Sequence, residues 1–368
     1  MTDLTDLIEM SRRFGGDPEY LLAGGGNTSQ KEGGKLYVKA SGTSLAEITE
    51  KGFVIMAMEA LEAIWSKTYP EESAPREAAI LADMMAARLP GETARPSVEA
   101  LLHSLIRGRF VIHTHPALVN GITCGRSGEA AMTELFGEEA LWVPLVEPGF
   151  ILAREIRQRL AAHEKRTGVY PRILFLQNHG LFVSAETREE VYALHDSIRE
   201  KVLSKVGLRP EGVFTGLAPE LLARARKAAE AAYGKPLEVC GTAGPDLEMF
   251  AAGEEAFEPL RLPFNPDQIV YSGPGPLRLD TLEDLPKALA AYMKRWNREP
   301  QSFLLRGQGG FGLGATEKKA EAALSLLVDS VKIALYSRSF GGPLPMTEAL
   351  ILFIRDWEVE SYRAKVAR

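Results

Sequence analysis

The chain has 368 residues, too many for one ordinary hydrophobic core, so two domains are expected. With 45% hydrophobic and 25% charged residues it has the balance of a folded, water-compatible protein, and a formal net charge of -6 excludes a generic nucleic-acid or anionic-membrane binder. Any phosphate it holds must be gripped locally. Two cysteines, Cys124 and Cys240, are too few for a disulfide framework and fit a reducing compartment. The opening segment carries its basic pair, Arg12 and Arg13, after its apolar positions, the wrong order for a secretory signal. No window approaches the roughly 18 uninterrupted apolar residues of a membrane helix. A cytoplasmic protein is the expectation.

In chain order, Asp6 to Phe14 has helical apolar spacing and runs into a glycine-rich turn, Gly24-Gly25-Gly26-Asn27-Thr28-Ser29. Lys35 to Lys39 alternates like a strand and ends at Ala40-Ser41-Gly42-Thr43-Ser44. A helix is expected over about Arg76 to Arg88, and another behind Pro96 and Ser97, continuing through Glu99 and His103 to Ile106. Arg109 to His115 is apolar and β-branched, a strand stopped by Pro116; Arg172 to Leu176 is a second, stopped by Gln177-Asn178-His179-Gly180. Thr187 to Lys201 follows with a helical pattern. The pattern breaks around Gly207 to Gly216, which sets the expected domains at 1–210 and 211–368.

The second part repeats the first. Pro171 to Phe182 aligns without gaps on Pro300 to Phe311, and both copies run through Thr187 or Thr316 into an amphipathic helix. Upstream, Phe110 to Pro116 aligns more weakly on Gln268 to Pro274, placing Tyr271, Gly273 and Gln308 where His113, His115 and His179 stand. The second copy thus lacks imidazoles and reads as a structural partner.

Residues two apart on a strand share a face, so His113 and His115 present both rings to one side. His179, from another strand end, completes three corners of a tetrahedron whose fourth is open, as in catalytic zinc sites. Buried strand histidines satisfied by backbone are the alternative for an isolated pair; the third ring and its loss from the repeat favour a metal. Zinc suits neutral imidazole, and nickel, cobalt or copper are compatible with the same ligands. Glu99 and His103 lie four apart on one helical face. Glu99 reads equally as a general acid/base whose pKa a dry cleft raises and as a first-turn acid favoured by the helix dipole. The loops at Gly24–Ser29 and Ser41–Ser44 carry the parts of small anion nests, with Lys39 adding a charge; each alone is an ordinary turn, and together with the histidines they suggest a phosphate pocket. Gly307 to Gly312 formally fits a dinucleotide fingerprint, but it aligns with the turn before His179 and reads as a turn.

Gly26-Asn27-Thr28-Ser29, Ser41-Gly42, Pro96-Ser97-Val98-Glu99, His113-Thr114-His115-Pro116 and Gln177-Asn178-His179-Gly180 occur in the order of the class II aldolase/adducin family, which the chain resembles over about residues 20 to 200. It is most similar to the aldolase portion of bifunctional rhamnulose-phosphate aldolase/dehydrogenase proteins, also through Arg306 to Gly314 and the final helix near Trp357, Glu358 and Glu360. No dehydrogenase domain follows, so only the aldol step is implied. The resemblance implies an α/β fold, a three-layer α/β/α domain around a mostly antiparallel sheet, followed here by a degenerate second copy. It makes His113, His115 and His179 ligands of Zn2+ or another divalent metal, Glu99 the catalytic acid/base, and Asn27, Lys39, Ser41, Gly42 and Ser97 the phosphate contacts. Val98 replaces the second of two serines usual in short members. Short members also draw a tyrosine from a neighbouring subunit, for which this chain offers no placed equivalent. The implied activity is cleavage of a ketose 1-phosphate of the rhamnulose or fuculose type to dihydroxyacetone phosphate and an aldehyde, through a zinc-stabilised enediolate, in a homo-oligomer of two or four chains. The same frame supports 4-epimerases and a dehydratase, and an adducin-like scaffold is the non-catalytic rival.

Overall fold

The computed structural model describes residues 2–357. Its described chain divides into two compact units. One runs through Val119 and from Glu129 to Ser204 and takes Trp357; the other comprises Asn120–Gly128 and Lys205–Asp356. The cut therefore falls a few residues before the break expected at 210, and the units interleave where contiguous halves were expected. The reason lies in backbone pairing: Arg126 and Ser127 donate to the carbonyls of Gly342 and Phe340, and Leu344 donates to Cys124, so Asn120–Gly128 is stitched to the later segment. Glu358 and Glu360 lie outside the described residues.

In the first unit the strands are β1 (Asn27–Glu32), β2 (Lys35–Lys39), β3 (Phe53–Ala57), β4 (Phe110–Thr114), β5 (Ala140–Val143), β6 (Ile173–Leu176) and β7 (Gly180–Ala185). The helices up to its end are α1 (Thr5–Gly15), α2 (Met58–Ala63), α3 (Ser73–Ala86), α4 (Ala100–Leu105), α5 (Ala117–Thr123), α6 (Gly128–Phe136), α7 (Phe150–Thr167) and α8 (Arg188–Lys205). The seven strands order as β3-β2-β1-β4-β7-β6-β5, with β5 and β6 the one parallel pair. Side chains alternate across it. Leu36, Val38 and Val111 pack beneath α3, α4 and α7 through Ile80, Leu101 and Ile156. Tyr37, Phe110 and Ile112 face the opposite way, against Leu7, Met10 and Phe14 of α1 and Val191 of α8. Helices on both faces of a mostly antiparallel sheet make the three-layer α/β/α domain.

The glycine run read as a turn through Ser29 gives way to a strand at Asn27. Asn27 to Gln30 pair with β4, placing Asn27 opposite His113.

The second unit holds β8 (Thr215–Gly216), β9 (Glu238–Ala243), β10 (Leu277–Leu279), β11 (Ser302–Leu305) and β12 (Gly309–Gly314), ordered β10-β11-β12-β9-β8. Its helices are α9 (Pro219–Tyr233), α10 (Pro245–Ala251), α11 (Glu254–Phe257), α12 (Pro266–Ser272), α13 (Leu285–Trp296), α14 (Glu317–Ser337) and α15 (Glu348–Asp356). The order repeats that of β5-β6-β7-β4-β1. The β6–β7 and β11–β12 hairpins match residue for residue: Ile173 pairs with Val183 as Ser302 pairs with Gly312, and α8 and α14 start at equivalent positions, Arg188 and Glu317. At the turns Asn178 and Gly307 both take positive φ, 53° and 68°.

The weaker alignment is overturned. Gln268 to Ser272 lies in α12, whose Asn265 side chain caps the Gln268 N–H and whose Pro266 opens the first turn, a helix start rather than a strand. The counterpart of β4 is β9, since Gly241 pairs with Phe311 as His113 pairs with Phe182. Gly241, Ala243 and Gln308 therefore occupy the positions of the three histidines.

One buried histidine of the first unit gives a pH-dependent prediction. His195 on α8 lies against Phe14, its Nδ1–H donates to the Val191 carbonyl at 2.9 Å, and its buried Nε2 has no partner among the described residues. Burial lowers its pKa to about 4. The unfolded chain thus takes up this proton first, so the contribution is fully present above pH 6.5 and is lost as pH falls toward 4, by about 1.4 kcal/mol per pH unit. Urea unfolding at pH 7.5 and pH 5 should show His195→Phe losing less stability than the parent; equal losses would refute this.

Candidate metal centre

The site forms where β4, the β6–β7 turn and the start of α4 meet. His113 shares the β4 face of Val111, the face covered by α4. Its ring stacks on Phe182, centroids 4.0 Å apart at 11°, and its Nδ1–H donates to the Leu181 carbonyl at 2.9 Å. That bond fixes the tautomer and aims the Nε2 lone pair inward. His115 lies just past the end of β4, its backbone N–H donating to Tyr20. His179 stands in the turn opened by left-handed Asn178. At Gly180 a Cβ would come within 2.6 Å of the His115 ring, so glycine is needed for the two segments to close up.

The three Nε2 atoms converge: 2.9 Å from His115 to His113 and 3.3 Å from His113 to His179. The ligand atoms of all three rings lie within 4.8 Å of one another. Nitrogens of a tetrahedral zinc site, each about 2.0–2.1 Å from the ion, stand roughly 3.3 Å apart, so the donor set fits such a cation. Burial holds His113 far below the usual histidine pKa, the neutral form a ligand requires. His179 and Glu99 keep side-chain exposures of 14% and 10%, so the centre is not wholly sealed.

Glu99, the residue preceding α4, places Oε2 3.5 Å from His113 Nε2 and Oε1 3.6 Å from His179 Nε2. Burial pushes its carboxyl up, while positive charge at His113, His179 or His115, together with the Asn27 amide, would bring it below the usual carboxylate range. A carboxylate so placed can exchange a proton beside the three rings.

The expected phosphate contacts divide. Ser41, Gly42 and Ser97 come together because the backbone at Ala40 bridges Pro96, with Ser41 N–H donating to Arg95 and Ser97 N–H to Lys39. Ser97 Oγ accepts the Glu99 N–H at 3.3 Å, linking this corner to the carboxylate, and Gly42 holds φ at 82°. Asn27 and Lys39 already serve the protein. The Lys39 ammonium donates to the Gly26 and Gly24 carbonyls at 2.9 and 3.2 Å, supporting the glycine run beneath Asn27. Asn27 Nδ2 donates to Glu99 Oε2 at 2.6 Å, and its Oδ1 meets His103 Nε2. Sequence reasoning gave His103 and Ser29 no role here, although the spacing of four from Glu99 to His103 was the available signal.

A family model described as the class II aldolase and adducin N-terminal domain matches residues 5–201. The uncharacterized oxidoreductase YuxG of Bacillus subtilis (strain 168) is 28% identical over 198 residues, which are 51% of this chain and 27% of that protein. The chain thus spans little more than a quarter of the curated relative it matches. Among solved structures, the N-terminal class II aldolase domain of a conserved protein from Thermoplasma acidophilum is 28% identical, with a TM-score of 0.47, covering 55% of this chain and 93% of that one. An L-fuculose-1-phosphate aldolase from Thermus thermophilus is 16% identical, with a TM-score of 0.35, covering 55% and 94%. No helix among the described residues is long and apolar enough to cross a membrane.

Proposed function

Because this chain belongs to the class II aldolase and adducin family, we propose that it cleaves a ketose 1-phosphate of the rhamnulose or fuculose type to dihydroxyacetone phosphate and an aldehyde. The observation that carries this reading is the convergence of three imidazole Nε2 atoms beside the Glu99 carboxylate, 3.5 and 3.6 Å from two of them. A divalent cation held there, zinc on this reading, supplies Lewis acidity toward the oxyanion charge that develops as the enediolate forms. The chain's own groups do the rest. Ser41, Gly42 and Ser97 hold the phosphate, with Lys39 supplying positive charge behind the glycine run. Rupture of C3–C4 leaves its electron pair on the three-carbon fragment, and one net proton moves from the C4 hydroxyl to C3; Glu99 makes the delivery to C3. A lysine Schiff base is not required. The second unit acts as a degenerate copy without ligands. Two or four chains, acting in the cytoplasm on a small sugar phosphate, go with this reading.

The test is a panel of ketose 1-phosphates assayed for aldehyde release, water loss and C4 inversion. Aldehyde release from at least one member is expected. Water loss or inversion alone would replace the aldolase by a dehydratase or epimerase. No turnover, together with no stoichiometric metal in untagged protein, would favour an adducin-like scaffold.

A further inference from the structure

Helix α4 is pinned to β1 at both ends. Asn27, Ser29 and Lys31 alternate along β1 and so share one face. Lys31 donates to the carbonyls of Ile106 and Gly108, at 2.5 and 3.2 Å, closing the C-terminal end of α4. At the other end stand Glu99 and His103, four apart. His103 is fully buried, with Ser29 Oγ 2.7 Å from Nδ1 and Asn27 Oδ1 at Nε2.

The direction of each bond follows from the chemistry of the groups. Asn27 turns its NH2 group to the carboxylate, Nδ2 donating to Glu99 Oε2 at 2.6 Å. The Asn27 oxygen then faces His103, which must carry its proton on Nε2. Burial keeps His103 neutral, so Nδ1 bears a lone pair and Ser29 must donate to it. With the Asn27 amide so turned, the chain runs one way, Ser29 to His103 to Asn27 to Glu99, and turning Asn27 or His103 alone would set two donors or two acceptors face to face. Reversal would leave unsatisfied groups in a dry place, at a cost of about 1–3 kcal/mol each.

We propose that His103 is a positioning residue of the lyase site: as the Nε2–H tautomer set by Ser29, it locks the Asn27 carboxamide so that Asn27 donates to Glu99 Oε2 and leaves Oε1 to exchange the proton. This rests on the function proposed above. Oε1 receives no hydrogen bond from the described residues, whereas Oε2 is held at 2.6 Å by Asn27. The lock therefore selects which oxygen is mobile in protonation and fixes the carboxylate plane against the imidazoles. It also gives Asn27 a carboxylate contact, where the family resemblance implies a phosphate contact.

The test has two arms on the full-length, zinc-loaded chain. In 15N-histidine-labelled protein, the ring shifts of His103 should report the neutral Nε2–H tautomer; an Nδ1–H tautomer or an imidazolium would overturn the proposal. In the kinetic arm, His103→Leu should lower kcat by roughly 10–100-fold with bound zinc unchanged, and with KM within about twofold of the parent. His103→Gln, whose amide can donate where Nε2–H does, should recover most of the loss. Adding Asn27→Ala to His103→Leu should cost little more, because both break the same chain. A Gln variant as impaired as Leu, a loss in KM alone, or additive losses would each refute positioning. If no ketose 1-phosphate is turned over, the proposed function fails while the tautomer result still decides the lock.

Discussion

Glu99→Gln should abolish carbon–carbon cleavage while leaving the fold and the bound metal in place. The substitution keeps shape and volume and removes the group able to take up and return a proton. Asn27 donates to Glu99 at 2.6 Å, and a glutamine oxygen can accept that bond, so the Asn27–His103–Ser29 chain survives. His113, His115 and His179 are untouched. The loss should then sit almost wholly in kcat, by about 10²–10⁴-fold for a removed general acid/base. Steady-state kinetics on the best ketose 1-phosphate, with zinc content and melting temperature measured on the same preparation, checks this. Cleavage within a few-fold of the parent would remove Glu99 from the chemistry, and a parallel loss of metal would make it a ligand instead.

The histidine cluster was legible because it rests on local rules. A strand puts His113 and His115 on one side, and an ungapped repeat marked the hairpin carrying His179. That repeat holds in three dimensions down to the left-handed residue at each turn, Asn178 and Gly307. What failed was long-range. Gln268–Ser272 matched a strand by residue type, yet Asn265 and Pro266 start a helix there, and the true counterpart, Glu238–Ala243, contains two of the replacements, Gly241 and Ala243. Asn120–Gly128 crosses to the other unit through backbone bonds that no composition signal announces. The surroundings of Glu99 could not be read locally either: its neighbours Asn27, His113 and His179 come from β1, β4 and the β6–β7 turn, segments distant in the chain. The two bonds of the Lys39 ammonium to the Gly24 and Gly26 carbonyls were likewise out of reach of a local reading, which saw only a charge beside a serine-glycine loop.

The second large effect separates the two kinds of ligand. His113→Ala and His179→Ala should each remove stoichiometric zinc, because two imidazoles are left where three converge and the equivalent positions of the second unit, Gly241, Ala243 and Gln308, offer no imidazole in compensation. The parent should hold one ion per chain. Affinity should fall by more than the roughly 10–100-fold typical of losing a residue that merely supports a ligand. Their structural costs should differ. His113 is fully buried, stacks on Phe182 and bonds Leu181, so its truncation also opens a cavity in the sheet face beneath α4. That adds about 2–5 kcal/mol of destabilisation, the range for large-to-alanine changes in a core. His179 projects from a turn and keeps partial exposure, so its removal should leave the melting temperature of the metal-free protein nearly unchanged. Metal analysis of untagged protein, chelator competition and metal-free unfolding of both variants make the comparison. Parent-like zinc content in either variant would show that its ring does not bind the ion, and equal unfolding losses would contradict the burial argument.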